Sequence, residues 1–148
     1  MTYAHRAQAI ADVATSADVL FAYLDDQASL GSHMQKPSMM MLGGRMSYEF
    51  DEARGRAVGS VVKMRGTILG LVLSVEEVII DRQPSRRKVW ETRGPPNLLV
   101  IGGYRMGFEM STSGAHRDCA CSLTTAIQRR SRASSSAPCL ARSTHAGA

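Results

Sequence analysis

IGGYRMGFEM, residues 101–110, is the stretch whose reading decides the fold. Tyr104, Met106 and Phe108 alternate with Arg105, Gly107 and Glu109. An extended backbone therefore presents large apolar side chains on one face and charges on the other, the pattern of an antiparallel strand covered on one side. The same period of two recurs upstream, where Met46, Tyr48 and Phe50 alternate with Arg45, Ser47 and Glu49, and Val62 and Met64 with Lys63 and Arg65. Turn-forming stretches separate the runs: EARGR at 52–56, RQPS at 82–85 and GPPN at 94–97. This predicts strands near 39–50, 58–68, 70–80, 87–93 and 98–110.

Toward the N-terminus, Ala7, Ala9, Ala11 and Val13 alternate with Gln8, Ile10 and Asp12, a weaker signal for a first strand and about the sixth in all. Thr15 or Ser16 supplies a helix N-cap, Asp18 favours the first-turn amides, and Val19, Leu20, Tyr23 and Leu24 follow at helical spacing to about Asp25. A second helical turn is expected over 28–34, and Lys36-Pro37 ends it. Two short helices before an antiparallel meander make an α+β architecture.

The chain of 148 residues has the length of one domain, with 44% hydrophobic and 21% charged residues. Its net charge of +5 suggests an anionic partner until the charge is located. From Ser111 onward there are five Arg and one Asp, which leaves 13 basic against 12 acidic residues before it. The body is nearly neutral, so nucleic acid is not the expected partner. All three cysteines also lie late, at 119, 121 and 139, and belong on this reading to the tail and not to the fold. The uncharged apolar run from Gly66 to Val75 is about half the ~20 residues a spanning helix needs. No stable membrane insertion, a cytoplasmic location and no disulfides are expected.

Two short helices cannot cover one face of six strands, so a second layer should follow Met110. Instead, from about Asp118, Ser, Thr, Ala and Arg dominate and neither period survives, which by composition reads as a disordered tail over 118–148.

Three strings, IGGYRMGFEM (101–110), VWETRGPPNLLV (89–100) and VEEVIIDRQPSRRKVW (75–90), resemble bacterial members of the polyketide cyclase/dehydrase and lipid-transport group of the START-like, or SRPBCC, superfamily. The similarity covers residues 1 to about 117, including ADVLFAYLDD near the start. It implies a helix-grip fold, a curved antiparallel sheet gripping a long C-terminal helix around an apolar cavity. None of the strings is a catalytic motif.

Members of this group continue with a strand resembling LRVFIDY and a helix containing a string like YARWC. DCACSLTT, residues 118–125, can be encoded so that the adjacent frame reads LRVFIDY, and STHAGA, residues 143–148, permits YARWC in that same frame. This predicts a frameshift near Arg117 or Asp118, a domain truncated at about residue 117, and loss of the last strand and the long helix. Such a helix would bury ~6–8 apolar side chains at ~1.5–3 kcal/mol each, comparable with the ~5–15 kcal/mol stability of a whole domain. The strand at 98–110 would then be an unpaired edge, and the chain unfolded, molten or aggregation-prone.

Met46, Tyr48, Met64, Trp90 and Tyr104 fall on the apolar side of strands, which the resemblance implies lines a ligand cavity; each also fits plain core. His33, with Met34 beside it, ends the helical segment and could stand at a cavity mouth. Glu76 and Glu77 are adjacent, so on a strand they face opposite sides and cannot pair as acid and base; one pointing inward would be a polar anchor. Met39-Met40-Met41 reads as adaptable packing, Cys119 and Cys121 form a CxC without a second pair, and Arg129-Arg130-Ser131-Arg132 resembles a basic patch confined to the tail. Gly43-Gly44 and Gly102-Gly103 lie in strand-like runs, where glycine marks bulges. His5, His116 and His145 have no partner pattern. No catalytic residue, metal or cofactor is expected.

The resemblance therefore implies binding of a small hydrophobic molecule, such as a lipid, polyketide or aromatic compound, between sheet and helix. The alternatives are cyclase or dehydratase chemistry in the same cavity, and a frameshifted product with no activity. Turnover of a substrate would separate the first two, and absence of cooperative unfolding would mark the third.

Overall fold

The computed structural model describes residues 3–29, 45–99, 101–112 and 119–129. The first strand, β1, spans His5–Val13 and leads into helix α1, Ala17–Asp25. Six more strands follow: β2 (Arg45–Phe50), β3 (Val61–Ile68), β4 (Leu71–Gln83), β5 (Arg87–Asn97), β6 (Ile101–Thr112) and β7 (Cys119–Arg129). They form one curved antiparallel sheet in the order β1-β7-β6-β5-β4-β3-β2.

The α+β reading stands, with one strand more than expected. Residues 119–129, read by composition as tail, pair with β1 on one side, with Leu123 opposite Ala9, and with β6 on the other, with Leu123 opposite Phe108. The expected loss of the last strand is corrected, and so is the unpaired edge at 98–110, because β6 lies inside the sheet. A strand paired on both sides needs little from its own side chains, since its backbone hydrogen bonds are supplied by its neighbours. Composition misread the cysteines for the same reason: Cys119 is buried against Phe21, Phe108 and Met110, and Cys121 packs beside them, so both belong to the fold. Residues 130–148, with Cys139, Arg130, Arg132 and His145, lie outside the described residues, as do Met39 to Gly44 and His116, so the expected loss of the long C-terminal helix falls outside them too.

Ser16 is the N-cap of α1, its Oγ accepting from the Val19 N–H at 3.4 Å. The stripe turned to the core is the buried Phe21 with the partly buried Ala17, Leu20 and Leu24, whereas Val19 and Tyr23, expected on the apolar face, are more than 60% exposed. Positions 17, 20, 21 and 24 satisfy the i, i+3, i+4, i+7 spacing better. Helical backbone resumes at 27–29, and the rest of the expected second helix lies outside the described residues.

GPPN, read as a turn, is the end of β5. Pairing of β5 with β6 stops at Glu91–Arg105, so Pro95 and Pro96 sit where no ladder hydrogen bond to β6 is required. The β3–β4 connection is Leu69-Gly70, with φ of 50° and 79°, a two-residue hairpin turn that needs both residues left-handed. The glycine pair at 102–103 marks a register irregularity between Ile101 and Gly103, as expected of a bulge.

α1 lies on one end of the inner face of the sheet. Phe21 meets Phe108 edge-on at 5.7 Å, and Phe108 meets Trp90 at 6.2 Å, with Ile79 and Met110 completing this core. A second cluster, Val62, Met64 and Val75 with Met46, Tyr48, Phe50 and Leu98, fills the inner face under β2 and β3. Tyr104 packs against both.

Candidate functional site

Strand pairing places Phe50, Val62, Glu77 and Thr92 in one row across the inner face, and Tyr48, Met64 and Val75 in the next. Glu77 is thus the acidic member of an otherwise largely apolar wall, and it is only 5% exposed. Glu76, one residue earlier, faces outward and lies 3.8 Å from Lys63. The two carboxylates point to opposite faces, as the strand period requires.

Tyr104 donates its hydroxyl to Glu77 Oε1 at 2.5 Å, while its backbone N–H donates to Thr92 Oγ1 at 3.0 Å. Burial pushes the Glu77 carboxyl up to about 7, against the lowering effect of hydrogen bonds from Tyr104 and the Trp90 indole and of the Lys88 charge. Burial and the nearby Glu77 carboxylate hold the Tyr104 phenol above the ordinary tyrosine range, so it remains a donor. The Tyr48 phenol is pushed up to about 12, again by burial first and Glu77 second. Its hydroxyl oxygen is buried and makes no hydrogen bond among the described residues. Tyr48 is held by stacking on Phe50, rings 6.2 Å apart and 11° from parallel.

Of the residues singled out from sequence, Met46, Tyr48, Met64 and Tyr104 share the second cluster around Glu77. Trp90 is buried in the core beneath α1, with its indole toward Glu77. His33 lies outside the described residues.

Sequence reading missed a second polar group on the same face. Lys88 is fully buried; its Nζ donates to the Asp25 carbonyl at 2.8 Å and lies 2.9 Å from Asp25 Oδ1. Arg82 donates to both Asp25 carboxylate oxygens and lies over the Phe21 ring. Burial opposes ionisation of Asp25, but hydrogen bonds from Arg82 and Lys88 outweigh it and hold the carboxyl below its ordinary range. The cluster locks the C-terminal end of α1 to β4 and β5. The available signal was parity, since Lys88 shares its face with Trp90 and Thr92.

Two hollows of about 290 and 560 Å³ open on the outer face, rimmed by Arg6, Asp81, Arg87 and Arg105 in one case and by Lys63, Arg65, Glu76 and Arg93 in the other. Their charges pair across strands, Arg87 with Asp81 and Lys63 with Glu76, which suits a solvated sheet face better than an apolar ligand. Among the described residues no group of three or more His, Cys, Asp or Glu is placed to hold a metal ion, and no helix is long and apolar enough to cross a membrane.

No family model matches the chain, and no curated protein matches it. Solved structures do. The Zhui aromatase/cyclase from Streptomyces sp. R1128 superposes with a TM-score of 0.61 at 17% identity, covering 86% of this chain and 70% of that one. Ara h 8.0201 gives 0.60 at 13%, covering 87% and 80%. Norcoclaurine synthase from Thalictrum flavum gives 0.58 at 18%, covering 83% and 68%. At these identities the likeness is one of fold, and the fold is START-like, as the sequence resemblance implied.

Proposed function

We propose that this START-like chain binds a small hydrophobic molecule against the inner face of its sheet, with Met46, Tyr48, Met64 and Tyr104 as the wall and Trp90 beneath them. The observation that carries this reading is the set of polar groups inside the apolar wall: a carboxyl and a phenol in a short hydrogen bond, and beside them a buried hydroxyl with no partner among the described residues. Apolar sites with a few convergent polar groups and a perturbed titration are the usual form of ligand pockets. The chain contains one tryptophan, so Trp90 fluorescence reports on this region alone. Titration with naphthalene and with dodecanoate should give a saturable change for at least one of them; no saturable change with either overturns the reading.

The alternative is cyclase or dehydratase chemistry in the same place. A carboxyl titrating at about 7 is suited to moving a proton near neutral pH, which favours this reading, as does the likeness in fold to the Streptomyces aromatase/cyclase. Turnover of an aromatic polyketide precursor, abolished in Glu77→Gln with binding retained, would establish it.

We also propose a frameshift near Arg117 or Asp118. Ala7, Ala9 and Ala11 on the inner face of β1 are exposed, and Leu123 opposite Ala9 is 41% exposed, so no described residue covers that part of the inner face. The adjacent frame would supply a helix to cover it. DNA sequencing across codons 110 to 148 and beyond tests this: a single inserted or missing base restoring LRVFIDY and YARWC supports it, and an unchanged frame overturns it. The proposed partner is a small molecule and not nucleic acid, and the proposed location is the cytoplasm.

A further inference from the structure

The groups on the inner face specify more than an apolar ligand. Tyr104 already spends its proton on Glu77, whereas the buried Tyr48 hydroxyl has no partner among the described residues. A buried hydroxyl without a partner is costly, so a molecule that brings an oxygen to it gains the bond without breaking another. The groups facing Glu77 are Tyr48 from β2, Lys88, the Trp90 indole and Thr92 from β5, and Tyr104 from β6; β3 contributes Val62 and Met64, both apolar. The cation among them, Lys88, is engaged by Asp25, so an anionic ligand head would meet the Glu77 carboxylate with no unengaged cation among these groups to offset it.

We propose that Tyr48, Glu77 and Tyr104 form a polar anchor that selects a ring system carrying one neutral oxygen, a phenol or a ketone, over a plain hydrocarbon or a carboxylate. Tyr48 makes the direct bond, and Glu77 with Tyr104 holds the surrounding field negative. This rests on the ligand-binding reading above and deepens it.

Equilibrium dialysis of the full chain at pH 7.5 with naphthalene, 2-naphthol and 2-naphthoate tests the anchor. We expect 2-naphthol to bind about 10-fold tighter than either of the others, the factor one added hydrogen bond contributes. Tyr48→Phe should bring 2-naphthol to within about 2-fold of naphthalene, and a cooperative urea transition of the variant shows separately that it is folded. Equal wild-type binding of naphthalene and 2-naphthol overturns the anchor and leaves the ligand-binding reading standing. Tightest binding of 2-naphthoate, or a 2-naphthol preference that survives Tyr48→Phe, also overturns it. Should none of the three bind, the anchor is overturned, and the dodecanoate titration decides whether the ligand-binding reading stands.

Discussion

At the scale of single residues, two buried carboxyls, Glu77 on β4 and Asp25 at the end of α1, behave in opposite ways. Glu77 is raised to about 7 from 4.5. Its folded form holds the proton more tightly than the unfolded form, so the stability it allows is fully present below the unfolded value and is lost as pH rises through about 7. At 1.36 kcal/mol per unit the loss across that window is about 3 kcal/mol. Urea unfolding should therefore show stability falling between pH 4.5 and 7, and Glu77→Gln should flatten that slope. Asp25 is lowered, so its contribution is present above its unfolded value and fades only in acid. Asp25→Ala would leave Lys88 buried without its counter-charge, and we expect a loss of about 3–5 kcal/mol in the same measurement. Tyr48→Phe should be neutral or stabilising in the unliganded chain, because it deletes a buried hydroxyl that has no partner among the described residues.

Among the elements, close strand contacts single out Gly107. A Cβ there would meet the Lys88 backbone carbonyl at 2.8 Å and Val89 Cγ2 at 3.0 Å, where β5 and β6 pair. Gly107→Ala should cost about 1–3 kcal/mol by forcing those strands apart, readable as a lowered midpoint of thermal unfolding. At the Leu69-Gly70 turn the requirement is for φ above zero, which Leu69 meets at 50° with its side chain exposed. Leu69→Asn should leave stability unchanged or raise it slightly, since Asn tolerates that conformation. The outward faces of β2, β3 and β6 were legible from the alternation of charge, whereas β7 was not, because its alternation is of small and weakly polar residues.

For the molecule as a whole, the sheet depends on β7 as the strand that joins β1 to β6. Ending the chain at Thr112 would detach β1 and leave α1 packed on a sheet without Cys119 beneath Phe21. Circular dichroism of that truncation should show no cooperative thermal transition, while the full chain retains one; a cooperative transition in both would mean that β1 and β7 contribute little. The inner face over β1 and β7 is also where an apolar dye should bind in the chain as it stands, since Leu123 is exposed there.

The sequence by itself determined the local periods: the alternation that makes β2, β3 and β6, the cap that starts α1, the opposite faces of Glu76 and Glu77, and the bulge at the glycine pair. These follow from backbone geometry acting over a few residues, and side-chain type is enough to read them. The resemblance added the START-like fold. Tertiary structure alone decided that residues 119–129 are a strand and that Pro95 and Pro96 can end one, because a strand's stability comes from neighbours far along the chain. It also decided that Glu77 meets Tyr104, and that Lys88 meets Asp25. Those meetings depend on register between strands and on where α1 lands, and the burial that moves the Glu77 titration arises only once the layers have closed around it.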